Sequence, residues 1–122
     1  MNWFRRLLDK LPSPSSSCPW SVEVTQTDLV VSDGEGSGGS IPLAEIEKVE
    51  IATDSSGPWG YDVVYLIFGD DHDQPRVVYV MEAQGADAML EWLEGQKGYR
   101  DEEVIRAMGS TTEARFIVYE RI

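Results

Sequence analysis

A chain of 122 residues, 42% hydrophobic and 26% charged, has the size and composition of one globular domain. Twenty-two Asp and Glu against ten Lys and Arg leave a formal net charge of −12, a field that repels phosphate backbones and argues against a nucleic-acid binder. Cys18 is the only cysteine, so an internal disulfide is excluded, and with no export signal the chain is expected in the cytoplasm.

Residues 1–19 differ in composition from the rest. Trp3, Phe4, Leu7, Leu8 and Leu11 fall at helical spacing, and Pro12 stops that pattern. Arg5, Arg6 and Lys10 against Asp9 give residues 1–11 a net +2, so the remainder carries −14. Arg5 and Arg6 resemble a twin-arginine signal, but Asp9, Lys10, Pro12 and Pro14 interrupt the apolar stretch that export needs. A basic amphipathic segment with Trp and Phe suits either the protein's own domain or an anionic membrane surface. Residues 12–19, rich in Pro and Ser, read as a linker to a single domain over 20–122.

From Trp20 the period becomes two. Trp20, Val22 and Val24 alternate with Ser21, Glu23 and Thr25, and Leu29, Val30 and Val31 begin a return strand after a turn at 26–28. Four glycines between Asp33 and Ser40 predict a flexible hairpin connection. Ile41, Pro42 and Leu43 follow, then a strand at 48–52 and a second loop at 54–60. The run Val63, Val64, Tyr65, Leu66, Ile67, Phe68 predicts a central strand covered on both faces, returned by Val77 to Met81.

The period then turns helical. Ala86, Met89, Leu90 and Leu93 mark one face, with Gly95 and Gly98 ending the helix. Asp101 is placed to cap a second helix whose apolar face is Val104, Ile105 and Met108, with Gly109 suited to its end. Phe116 and Val118 alternate with Ile117 and Tyr119 in a closing strand. The whole predicts an α+β fold: an antiparallel sheet of about five to six strands, with two short helices before the last strand. The pattern fits an open sheet and also a strongly bent one resembling a pleckstrin-homology barrel.

Little of this carries chemistry. His72, the only histidine, stands among Asp70, Asp71 and Asp73, but lacks the Gly and Glu placement of a calcium loop and reads as a turn. The glycines at 34, 36, 38 and 39 precede no Gly-Lys-Ser/Thr and lie beside acidic residues, unlike a phosphate loop. Ser110, Thr111 and Thr112 have no evident base; Ser110 with Glu113 fits a capping pattern or a turn. Cys18 has no charged neighbour to activate it. No catalytic residue, cofactor site or metal site is expected. The aromatic loop holding Trp59 and Tyr61, flanked by Asp54 and Asp62, has the residue types of an interface anchor or of a loop folded onto the sheet edge.

Residues 98–116, reading Gly-Tyr-Arg-Asp-Glu-Glu-Val-Ile-Arg-Ala-Met-Gly-Ser-Thr-Thr-Glu-Ala-Arg-Phe, resemble the closing segment of a family of small, uncharacterised bacterial proteins. Gly85 with Met89 to Leu93 and Gly57-Pro58 leading into Asp62 to Tyr65 are also similar, and Tyr119 stands where family members commonly carry Trp. The resemblance implies a bacterial cytoplasmic domain and nothing catalytic.

The expected role is a non-enzymatic protein–protein interaction domain, of the kind an immunity protein uses against a basic toxin. The alternative is a membrane-surface adapter anchored through residues 1–11. An enzyme ranks third, since no nucleophile, acid–base pair or metal cluster stands out. The oligomeric state is left open.

Overall fold

Seven short strands, two helices and a single 3-10 turn are laid out in a computed structural model that describes residues 19–34, 38–53, 63–110 and 113–121. The strands are β1 (Ser21–Val24), β2 (Asp28–Ser32), β3 (Gly38–Pro42), β4 (Lys48–Thr53), β5 (Val63–Phe68), β6 (Val77–Val80) and β7 (Ala114–Glu120). Helices α1 (Ala86–Glu94) and α2 (Asp101–Met108) lie between β6 and β7. The α+β class is as the sequence predicts; the single sheet of five to six strands is not. There are two antiparallel sheets, one in the order β1-β2-β3 and one in the order β6-β5-β4-β7.

The difference begins at the glycines. Gly38, Gly39 and Ser40, read as flexible connection, pair with Ser32, Val31 and Val30 and form most of β3. Their backbone groups satisfy β2 while their small side chains leave no hydrophobic period to detect. Leu43 then opens the 3-10 turn Leu43–Glu45 rather than extending a strand.

β5 and β4 are the two inner strands of the larger sheet, and all six residues of each are buried. Register divides these side chains between two faces. Val49 and Ile51 of β4 align with Ile67 and Tyr65 of β5, and these with Val77 and Tyr79 of β6. The opposite face carries Lys48, Glu50 and Ala52 beside Phe68, Leu66 and Val64, continued by Val78 and Val80.

The helices and the smaller sheet sit over the first of these faces. Tyr119, which pairs with Val49, meets the Trp92 ring of α1 edge-on with centroids 5.9 Å apart. Phe116, which pairs with Ile51, carries the Arg106 guanidinium of α2 at 5.7 Å. Gly39 of β3 packs toward Val77, to which an added methyl would stand 3.6 Å away. Leu29, Ile41, Ile46, Met89 and Leu93 are fully buried in the space enclosed, and each contributes about 1.5–3 kcal/mol of burial.

Two glycines hold the layers together. Gly85 has φ of 85° and lies against the Val22 carbonyl, where β1 is tied to the chain by Val22 N donating to Gln84 O at 2.7 Å. Gly98 packs on the Glu120 backbone, so the β7 end and the α1–α2 connection touch main chain to main chain. Neither position has room for a Cβ.

Both helix ends depart from expectation. Arg100, not Asp101, is the N-cap of α2 and makes no side-chain cap; Asp101 is the first helical residue and instead accepts a hydrogen bond from Tyr99 Oη at 3.1 Å. Gly95 and Gly109 end their helices in ordinary right-handed geometry.

Candidate interaction surface

Helix α2 is where the sequence reading and the fold disagree most usefully. Of the predicted apolar face, Val104 packs on the core, but Ile105 is 65% exposed and Met108 44% exposed. The residue that enters the core is Ala107, at 1% exposure. The helix packs on β4 and β7, and Ala107 presents a methyl to them. The larger side chains at 105 and 108, one turn apart, are left on the outer surface.

Glu102 extends the same outward stripe by one turn, and Asp101 and Glu103 flank it. Glu103 is held by Arg106 at 2.7 Å, and Arg106 also covers Phe116. The surface therefore presents two apolar side chains with Asp101 and Glu102 at its N-terminal end and the Glu103–Arg106 pair beside it, on a chain of net charge −12. Val30 and Met81, the other large apolar residues exposed among the described residues, stand singly in other elements.

The far end of the stripe reaches the sheet. Thr53 Oγ1 donates to Ser110 Oγ at 3.1 Å, joining the end of β4 to the residue that follows α2. Ser110 follows the end of α2, and β7 begins at Ala114. Thr53 is also the residue from which the 54–62 loop departs. Trp59, Tyr61, Asp54 and Asp62 lie outside the described residues, but the loop that carries them is rooted two residues along from Met108 and across one hydrogen bond.

The remaining features are structural in kind. The Lys48 ammonium and the Arg115 guanidinium both meet the Glu50 carboxylate, at 3.0 and 3.1 Å, and Lys48 also donates to the His72 carbonyl at 3.1 Å and lies 4.3 Å from the Phe68 ring centre. The 70–73 segment is the turn that its sequence predicts: Asp73 N donates to Asp71 Oδ1 at 2.9 Å. Among the described residues no three His, Cys, Asp or Glu side chains are grouped to hold a metal ion. An open cleft of about 470 Å³ is lined by Trp92, Lys97, Tyr119 and Arg121, but Arg121 is spent on the Ala44 and Ile46 carbonyls and on Glu47 at 3.3 Å.

Three phenols are perturbed. Tyr79 is fully buried and stacks on Tyr65 with centroids 5.1 Å apart. Burial, and secondarily the charge on Tyr65, pushes its ionisation well above the ordinary phenol value, and burial also raises Tyr65. Tyr99 is pushed up to about 12, first by partial burial and then by its hydrogen bond to Asp101. All three are thereby fixed as neutral phenols at physiological pH, which suits packing and not proton transfer.

No helix among the described residues is long and apolar enough to cross a membrane. No protein-family model, no curated protein and no solved structure matches the chain, so the reading of this surface rests on its geometry and charge.

Proposed function

We propose that this domain is a non-enzymatic binding module that docks a basic protein on the outward face of α2. The observation that carries the reading is the exposed pair Ile105 and Met108 on the surface of a strongly acidic chain. An apolar centre with an acidic end is the anatomy of a protein interface: the centre supplies affinity, and the charged rim steers and selects a partner of opposite charge. Trp59, Tyr61, Asp54 and Asp62, the contact candidates of the sequence, follow Thr53 in the chain, whose hydroxyl bonds Ser110 just after α2. An immunity-type pairing with a basic toxin is the most specific form of this reading.

The test is affinity purification of the tagged protein from its host at moderate salt, followed by reconstitution of any captured pair from pure components. A basic protein recovered in stoichiometric amount, released by high salt and lost in Ile105→Glu, supports the proposal. Recovery of the protein alone, or a captured partner that Ile105→Glu binds equally well, overturns it.

A further inference from the structure

The cleft between the end of α1 and the end of β7 is lined by two cations, Lys97 and Arg121, and by no carboxylate among the described residues. The chain around it has a net charge of −12, so this is a local reversal of sign. The two cations differ. Arg121 is fixed: Nε donates to the Ile46 carbonyl at 3.1 Å, Nη2 donates to the Ala44 and Ile46 carbonyls, and Glu47 answers its charge at 3.3 Å. Lys48, Arg76, Arg100, Arg106 and Arg115 likewise each have a carboxylate within 3.1 Å. Lys97 alone among the described lysines and arginines forms no ion pair.

The walls of the cleft suit a flat apolar body. Trp92 of α1 and Tyr119 of β7 have centroids 5.9 Å apart and ring planes at 65°, so the two rings make a corner. A third ring laid against one of them presents its edge to the other, an arrangement that aromatic groups prefer. Gln96 donates to the Trp92 carbonyl at 3.0 Å, which holds the end of α1 as one wall. Gly98 has no side chain to crowd the corner; a Cβ there would stand 3.3 Å from Tyr119 Cε1. The volume, about 470 Å³, falls within the roughly 300–1,000 Å³ of small-molecule sites.

We propose that this cleft binds a small aromatic carboxylate, with its ring in the Trp92–Tyr119 corner and its carboxylate on the Lys97 ammonium. A cationic ligand, which an aromatic corner also attracts, is turned away by Lys97 and Arg121. A dianion such as a phosphate monoester is disfavoured, because Glu47 already offsets Arg121 and the field of the whole chain repels it. One free positive charge calls for one negative charge.

The site is distinct from the outward face of α2. Glu120, next to Arg121, pairs with Lys48 at one end of β4 and β7, whereas Ala114 pairs with Thr53, the partner of Ser110, at the other. Neither site needs the other.

The experiment is titration of the isotope-labelled full chain with naphthoate at low salt, where an exposed ammonium is least screened. Nuclear magnetic resonance follows the Trp92 indole N–H and the amides of Lys97, Gly98 and Tyr119. Saturable shifts centred on these groups are expected. Naphthamide, the same ring without the charge, should bind about tenfold more weakly, and Lys97→Ala should bring naphthoate down to that level. The Lys97 side chain is exposed and unpaired among the described residues, so its removal leaves the fold intact. Ile105→Glu should leave the titration unchanged. Shifts that do not saturate, naphthamide binding as tightly as naphthoate, or Lys97→Ala binding as tightly as the parent each overturn the proposal. So does loss of naphthoate binding in Ile105→Glu.

Discussion

Glu50 and Arg115 meet 3.1 Å apart across β4 and β7, with Glu50 almost wholly buried and also bound to Lys48 at 3.0 Å. One carboxylate thus compensates two cations on a face otherwise made of Val, Leu and Phe. Removing it takes the shared carboxylate from both, while Lys48 keeps the His72 carbonyl. Glu50→Ala should cost about 3 kcal/mol, the low end for a buried pair because Arg115 keeps 27% exposure. Replacing Lys48, Glu50 and Arg115 together by Met, Leu and Met should cost less, since the ion pairs on Glu50 are then removed as a set rather than broken. Urea unfolding of the two variants checks the order.

Tyr79 buries a hydroxyl that has no hydrogen-bond partner among the described residues. Deleting that atom should help. Tyr79→Phe keeps the ring stacked on Tyr65 and removes a desolvated group, so stability should be unchanged or higher by about 1 kcal/mol in thermal or urea unfolding. A loss larger than that would mean that the hydroxyl is satisfied in solution.

Raised phenol ionisation makes stability pH-dependent in one direction. The folded chain holds the Tyr99 proton up to about 12, against 10.0 for an ordinary phenol. The folded state therefore binds more protons than the unfolded state across that interval. The contribution is complete below pH 10 and is lost as the pH rises toward 12. Unfolding free energy should fall over this range, and Tyr99→Phe should make the fall shallower. Ultraviolet titration of the native protein should show fewer than five phenols ionising near 10.

The two sides of α2 predict opposite outcomes for similar changes. Ile105→Glu on the outer surface should alter stability by no more than about 0.5 kcal/mol. Ala107→Asp introduces an unpaired charge at a position with 1% exposure and should prevent folding at ordinary temperature. Circular dichroism melts of both variants suffice, and they supply the folding control for the binding experiment.

The elements that showed plainly in the sequence were those whose side chains carry a period. β1, β2, β4, β5, β6, β7 and both helices lie where alternation or helical spacing places them. β3 was hidden because Gly38, Gly39 and Ser40 pair through backbone alone. The division into two sheets was hidden for another reason: alternation shows that Lys48 to Thr53 is a strand, not that its second neighbour is the distant β7. The interaction face was half legible. Ile105 and Met108 stood out as apolar, yet spacing cannot say which side of a helix faces in when an alanine between them fits the core more closely.

The late partner of β4 has a consequence during synthesis. β5 reaches one edge of β4 almost at once, but the other edge waits for Phe116 and Tyr119. At about 5–20 residues per second, the ribosome needs on the order of several seconds to deliver them. Through that interval the nascent chain carries a half-made sheet with an open, apolar strand edge. Chaperone dependence and aggregation of this protein should therefore track the speed of translation between β5 and β7 more closely than the stability of the finished domain.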